Sequence, residues 1–453
     1  PRGSRMVPIQ LDAENHTPGR MSAPATRVFV RPVALLFAAL GLQGGVRQVL
    51  ERGQALYRLS HRLSEADRRT LAHDDAFLRL AAWLSIQADR GQGAPKLLVQ
   101  LPPGWEGFAP WLEQLVEESL GKDGKGFLIF YGQSPDATYG EDCAVLRIAV
   151  EGLPEPPAGP SGLPVLTLHV PHSTSPLSPS GRGAGGEGSP EKRRIGGEGS
   201  PSLAHLGELA ALFLCFKKTV AAYGYLQDIV FVGQPAVEAY KKYARDLREA
   251  SGPVVLDQGA AGDTRGAGRA TEDGLSLDYS SLLKRNLLTL NDLQARVERL
   301  GGVVDHLADV LAAVLTAAGD AGSLRYLDLT WNGELTAEVR RVLDHGQERL
   351  ANQLLHIPAK VRTGPSDYHS TEQGETDGPP ELVSVRLVAE QHEPVAAGEY
   401  DDKFLLAQAR GTWQAMEDAG RWIVFGTLPD ISMRSLQALE RVFEQAASRI
   451  AGT

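Results

Sequence analysis

Short apolar runs of strand length alternate along this chain with segments of helical period. The apolar runs cover residues 96–101, 126–131, 144–150 and 164–170. The segments before and between them show the 3.6-residue apolar spacing of amphipathic helices and cover residues 44–59, 74–88 and 106–120. Near-continuous apolar strands separated by helices are typical of a parallel sheet that is covered on both faces. The pattern predicts an α/β fold with a doubly wound, mainly parallel sheet flanked by helices.

The same alternation continues through the rest of the chain. Further strands are predicted at 324–329, 382–389 and 422–425. Further helices are predicted at 203–225, 237–250, 335–343, 403–419 and 435–450. We expect the late strands to extend the first sheet, and a separate small α/β lobe is the alternative.

Residues 173–202 break the pattern, because Gly, Ser, Pro and charged residues replace apolar ones. Gly-Gly-Glu-Gly-Ser-Pro occurs twice there, and such a composition buries too little apolar surface to fold. We predict a flexible insert, with contact of Lys192, Arg193 and Arg194 to an anionic partner as the alternative. Residues 257–272 are predicted to be a second flexible stretch.

These breaks divide the chain into domains. Residues 31–172 and 203–453 are predicted to form one α/β domain with a C-terminal extension. Residues 1–30 are interpreted as the remnant of a preceding lobe or as a segment left by an expression vector.

The composition argues against several classes of protein. The 453 residues carry a net charge of −10, which argues against nucleic-acid and anionic-membrane partners. Cys143 and Cys215 are too few for a disulfide framework, and no cysteine and histidine spacing suggests a metal site. The most apolar segment, 209–216, ends at two lysines and is too short to span a bilayer. We expect a cytoplasmic protein with no membrane contact.

Three carboxylates crowd the end of the helix predicted at 106–120. Glu113, Glu117 and Glu118 fall in its last turns, and Gly121 ends the apolar period. The partial negative charge of a helix C-terminus would raise a carboxylate pKa toward that of a useful base. The alternative is a solvated acidic face offset by Lys122 and Lys125.

Four segments resemble the phosphoglucose isomerase family. Glu118-Ser119-Leu120-Gly121-Lys122 and the following 123–126 are similar to the Glu-Ser-x-Gly-Lys-x-Gly-Lys-Gly signature of bacterial members, including those fused to a transaldolase. The other similar segments, which occur in the order of the fused type, are 19–23 (Gly-Arg-Met-Ser-Ala), 233–242 (Gly-Gln-Pro-Ala-Val-Glu-Ala-Tyr-Lys-Lys) and 368–373 (Tyr-His-Ser-Thr-Glu-Gln) with Gly378 and Pro379.

The resemblance implies a sugar-isomerase (SIS) fold and interconversion of glucose 6-phosphate and fructose 6-phosphate through an enediolate. On it, Glu118 is the proton-transfer base, Arg20 stabilises the enediolate, and Lys241 and His369 open the sugar ring. It also suggests substrate contacts by Gln114, Ser119 and Lys122. No metal and no cofactor are implied, the partner is a small-molecule sugar phosphate, and a homodimer is expected.

The chain also departs from the family pattern. The family's Ser-Lys-Ser-Gly phosphate loop should lie in a lobe before residue 1. Residues 374–377 (Gly-Glu-Thr-Asp) replace a second His and a Lys, and we expect Glu375 and Asp377 to repel a substrate phosphate. Two functions therefore compete: the C-terminal part of a glucose-6-phosphate isomerase, weak or inactive alone, and a non-catalytic sugar-phosphate-binding or scaffold module.

Overall fold

The computed structural model describes residues 75–170, 205–231, 233, 235–249, 268–364, 368–390 and 402–452. The strands are β1 (Lys96–Gln100), β2 (Leu128–Phe130), β3 (Cys143–Val150), β4 (Val165–Val170), β5 (Arg269–Glu272), β6 (Leu275–Asp278), β7 (Tyr326–Asn332), β8 (Ala359–Gly364), β9 (Leu382–Ala389) and β10 (Trp422–Leu428). The helices are α1 (Ala76–Asp89), α2 (Phe108–Leu120), α3 (Leu206–Leu226), α4 (Pro235–Glu249), α5 (Ser280–Lys284), α6 (Leu290–Arg299), α7 (Leu307–Asp320), α8 (Ala337–Gly346), α9 (Tyr368–Asp377), α10 (Asp402–Asp418) and α11 (Met433–Ala451). A π-helix, Gln347–Leu355, continues directly from α8.

The strands form two sheets. The first has four parallel strands in the order β2-β1-β3-β4. The second has six strands in the order β5-β6-β10-β9-β7-β8. In it, β8, β7, β9 and β10 are parallel, whereas the β5–β6 hairpin runs antiparallel along β10. We call the β1–β4 sheet with α1 to α3 the first lobe, and the β5–β10 sheet with its helices the second lobe.

The α/β fold with parallel sheets flanked by helices agrees with the sequence pattern, but the prediction of one continuous sheet is wrong. The late strands form their own sheet, whose parallel part repeats the 2-1-3-4 strand order of the first. Residues 269–272, predicted to be flexible, form β5. Asp273 and Gly274 both have positive φ and make the tight turn to β6, as expected for an Asp-Gly hairpin.

Each sheet has its own apolar core, and a third cluster joins the two sheets. Leu97, Ile129, Leu112 and Phe216 belong to the core of the first lobe. In the second lobe, the core includes residues of β7, β9, α7 and α11. The joining cluster comprises Leu98, Leu128, Phe130, Tyr326, Leu382, Met416 and Ile423. Burial of this cluster holds the two lobes together.

Helix α3 is apolar over an unusual length. By length and composition its Gly207–Leu226 window, of mean hydropathy 1.3, is long enough to cross a membrane, and 44% of it is buried in the protein. Leu212, Phe216, Val220 and Tyr223 of this helix lie in the core of the first lobe. Buried helices of globular proteins meet the same criterion, so the absence of membrane contact stays a prediction.

Candidate active site at the junction of the two lobes

Helix α2 ends where the sequence predicts. Leu112, Leu115 and Val116 bury its apolar stripe in the core of the first lobe. Gly121 is the residue after the last turn, and its N–H donates to the carbonyl of Glu117 at 3.0 Å. The C-terminal end of α2 faces α9 and the second lobe.

Gln373 brings three separate parts of the chain together beside this helix end. Its Nε2 donates to the carbonyl of Gly121 at 2.9 Å, and its Oε1 accepts from the N–H of Ala236 at 3.2 Å. These partners lie 252 and 137 positions away in the chain. The side chain of Gln373 is 0% exposed, so both hydrogen bonds form out of water. The segments that resemble isomerase signatures, around 118–126, 233–242 and 368–379, therefore meet at one place.

Glycines permit this close approach. A Cβ atom on Gly121 would lie 2.6 Å from the Cα of Gly374, closer than real Cβ contacts allow. On Gly378 it would lie 3.2 Å from the Cα of Gly121. The backbones of α2 and α9 can therefore meet only while these positions lack side chains.

The signature residues at the end of α2 are largely buried. Glu118 is 8% exposed and Ser119 is buried beside it. Lys122 donates from Nζ to the carbonyl of Val230 at 2.7 Å. Burial lowers the pKa of Lys122, against the opposing influence of the Asp377 and Glu118 carboxylates. Glu118 and Lys122 are thus close enough to interact electrostatically.

The other predicted site residues lie on different elements and differ in exposure. His369 lies in the first turn of α9, about 6 Å along the helix axis from Gln373. Lys241 lies on α4, is 37% exposed at its side chain, and pairs with Glu238 at 3.1 Å. Gln114 is partly exposed on α2. Arg20, like the predicted helix at 44–59 and the insert at 173–202, lies outside the described residues.

A buried charge cluster includes Glu113 and Glu117 of the same helix. Arg362 Nη2 is 2.6 Å from Glu113 Oε1 and 2.7 Å from Glu117 Oε2. Lys360 is 3.1 Å from Glu113 Oε1 and bonds directly to Glu117 Oε1. The interpretation of Glu113 and Glu117 as solvated residues is therefore wrong. Both are buried, and their partners come from β8 of the second lobe.

Glu375 extends this cluster. Its two carboxylate oxygens accept from Arg362 Nη1 at 2.6 Å and from Arg386 Nη2 at 2.7 Å. Two guanidinium groups face this carboxylate, and Arg362 is shared with Glu113 and Glu117, so the expected repulsion of a phosphate stays a prediction. Asp377 is also engaged, because its carboxylate accepts from the N–H of Asp123 at 3.2 Å and from Gln373 Nε2 at 3.0 Å.

The charges in the cluster shift one another's titration. Burial would raise the pKa of Glu113, but Arg362 and Lys360 together lower it below the ordinary value. This is opposite to the rise expected from the helix end. Burial and the Arg362 charge lower the pKa of Lys360 to about 7, against Glu113 and Glu375. Burial works against the guanidinium of Arg362, but Glu113, Glu375 and Asp328 raise its pKa well above the usual range.

Sequence reasoning missed Lys360, Arg362 and Arg386 as parts of this site. One signal was available, because Arg386 stands in the middle of the apolar run 382–389. A charge inside a buried strand requires a buried partner of opposite sign. Among the described residues, no group of three or more His, Cys, Asp or Glu side chains is arranged to hold a metal ion.

Comparisons with known proteins add little. No protein-family model matches the chain, and no curated protein matches its sequence. A solved structure of a hypothetical protein, TT0462 from Thermus thermophilus, aligns with 90% of this chain and 91% of its own at 14% identity. Its TM-score of 0.27 is too low to support an argument about fold or function.

Proposed function

We propose that the junction at the end of α2 is the active site of a hexose-6-phosphate aldose–ketose isomerase of the phosphoglucose isomerase family. The observation that carries the proposal is Gln373, which joins the carbonyl of Gly121 to the N–H of Ala236. These three segments lie far apart in the chain, and a common site requires that they meet in space. The shared 2-1-3-4 strand order of the two lobes also suits two SIS-type units.

In this proposal Glu118 moves the proton between C1 and C2 of the sugar. A carboxylate suits this task because it can accept a proton at one carbon and return it to the next. Burial of Glu118 excludes bulk water from the exchange. Lys122 lies near enough to balance negative charge on an enediolate. On the family resemblance, His369 and Lys241 open the ring, Arg20 adds positive charge, and Gln114 and Ser119 contact the substrate.

The same resemblance gives the setting of the reaction. The substrate is a sugar phosphate, no metal or cofactor takes part, and the enzyme works in the cytoplasm as a homodimer. The second candidate is a non-catalytic sugar-phosphate-binding module. The ion pair between Lys241 and Glu238 favours it, because Lys241 is engaged on its own helix rather than held toward Gln373.

The test is isomerase activity of the protein expressed from its full reading frame, beside a Glu118→Gln variant. Fructose 6-phosphate is supplied, and glucose 6-phosphate is detected through a dehydrogenase that reduces NADP⁺. We expect turnover by the wild type and a loss of kcat on the order of 10²-fold or more in Glu118→Gln. Glu106→Gln is the matched control, since Glu106 is exposed and lies two residues before the same helix.

Titration calorimetry with glucose 6-phosphate separates the two candidates. Binding without turnover, unchanged by Glu118→Gln, overturns the isomerase and supports the non-catalytic module. If glucose 6-phosphate neither binds nor reacts, both candidates are wrong.

A further inference from the structure

Buried ion pairs attach the last turn of α2 to the second lobe. Glu117 is 1% exposed and bonds to Lys360 and to Arg362, both on β8. Lys360 is itself confined, with its ammonium 5.0 Å from the Phe130 ring centroid and 5.5 Å from that of Tyr326. Its cationic end therefore has little freedom to follow a displaced carboxylate.

The same turn has a second attachment one helical turn later. The carbonyl of Gly121 accepts from Gln373 of α9, and the N–H of Gly121 donates to the carbonyl of Glu117. Glu118 lies between these two fixed points. Successive residues of an α-helix are rotated by about 100°, so Glu118 projects from the helix away from the direction of Glu117. Because the two residues share one rigid segment of backbone, the contacts of Glu117 determine where Glu118 lies.

We infer that Glu117 and Lys360 are positioning residues, which hold the final turn of α2 against the second lobe and thereby set the place of the Glu118 carboxylate. The inference rests on the proposed function, since it takes Glu118 as the base. Buried ion pairs contribute little net stability compared with packed apolar side chains. Charge-assisted hydrogen bonds do fix geometry, because they are short and directional.

Other charged groups surround Lys360 and must be considered with it. Glu113 and Glu117 face it from α2, and Arg362 flanks it on β8. Glu375 of α9 and the ring of Tyr326 on β7 complete its surroundings. Glu113 can partly replace Glu117 as a partner of Lys360, so Glu117→Gln is expected to loosen the turn rather than to unfold the protein.

The kinetic test is a double-mutant cycle of Glu117→Gln and Glu118→Gln, with Glu106→Gln as the control. A displacement of about 1 Å at a reacting group costs on the order of 10²-fold in rate. We expect Glu117→Gln to lower kcat by about that factor with KM changed by less than about threefold. Because Glu117 acts through Glu118, the kcat of the double variant should be less than about threefold below the kcat of Glu118→Gln alone. The inference is overturned if the two substitutions lower kcat independently, so that their factors multiply in the double variant. It is also overturned if Glu117→Gln has the wild-type kcat.

Hydrogen exchange provides a readout that does not depend on activity. We expect amides 115–121 to lose protection in Glu117→Gln and in Lys360→Met, while α1 keeps wild-type protection. The double variant Glu117→Gln with Lys360→Met removes both charges, and it should unfold at a higher urea concentration than Lys360→Met. Unchanged protection of 115–121 in Glu117→Gln refutes the positioning role. A wild type as inactive as Glu118→Gln refutes the proposed function instead, whatever the exchange result.

Discussion

Replacing Glu375 with Gln should destabilise the second lobe strongly. The Glu375 carboxylate is fully buried and accepts one hydrogen bond from each of two guanidinium groups, those of Arg362 and Arg386. The amide of Gln has nearly the same shape but no charge, and one of its two ends is a donor that would face a guanidinium. The substitution therefore leaves the Arg386 guanidinium facing a neutral group and removes one of the carboxylates that face Arg362, which keeps Glu113 and Glu117.

The magnitude follows from the geometry. The two contacts, at 2.6 and 2.7 Å, have the length of charge-assisted hydrogen bonds. Hydrogen bonds to charged groups contribute about 1.5–3 kcal/mol each, which gives about 3–6 kcal/mol for the pair. Removal of one member of a buried ion pair typically costs about 3–5 kcal/mol. We therefore expect the free energy of unfolding to fall by about 3–5 kcal/mol.

Urea unfolding followed by tryptophan fluorescence measures this change, because Trp331 and Trp422 are buried in the core of the second lobe. Glu338→Gln, at an exposed position on α8, is the control and should change the unfolding free energy by less than about 0.5 kcal/mol. Combining Glu375→Gln with Arg386→Met removes a buried cation and should recover part of the loss. A loss below about 1 kcal/mol in Glu375→Gln would refute the argument that its charge is buried and bridging.

Two further predictions concern titration and close packing. The pKa of Lys360 falls from 10.5 to about 7 on folding, so between these values the folded state binds fewer protons than the unfolded state. The free energy of unfolding should accordingly rise with pH across this window, and Lys360→Met should remove that part of the rise. Urea unfolding of the wild type and of Lys360→Met at about pH 7 and about pH 9 measures the change. An equal rise of the unfolding free energy with pH in both proteins would contradict the prediction. Gly121→Ala should lower the free energy of unfolding by about 1–3 kcal/mol, because the added Cβ meets the backbone of Gly374. Gly107→Ala is the control, since Gly107 has open space around it. Equal urea midpoints for the two variants would contradict the close approach of Gly121 and Gly374.

The first lobe was largely predictable from the sequence. The predicted helix at 106–120 is α2, Phe108–Leu120, and the four early apolar runs are β1 to β4. This succeeded because each element carries its own signal: apolar period, strand-length run, or a terminating glycine such as Gly121. Such signals are local, so they require no knowledge of the partner elements.

The second sheet was harder to predict, because its strands give conflicting signals. Strand β8 alternates apolar residues with Lys360 and Arg362, which is typical of a strand with one solvated face. In the protein those charged side chains are buried against α2 and α9 instead. The β5–β6 hairpin did carry a usable signal in Asp273-Gly274, and it was obscured by the polar residues before it.

Apart from Arg386, the buried charge cluster could not be predicted from local pattern. Glu113 and Glu117 bond to residues 249 and 243 positions away, and neither has a basic residue one turn along its own helix. An acidic pair without local partners is equally consistent with a solvated helix face and with a buried site whose cations come from distant parts of the chain. Only the packing of the two lobes decides between them.

The cluster also includes one of the positions at which this chain departs from the isomerase pattern. Glu375 stands where a basic residue was expected, and in the protein it is buried in ion pairs with Arg362 and Arg386. Lys122 lies in the turn after α2, and Asp377, at the end of α9, accepts from the N–H of Asp123 in that turn. The acidic segment 374–377 therefore does not by itself decide between the two candidates. The choice between isomerase and binding module depends on whether Glu118 transfers a proton, and its substitution tests that directly.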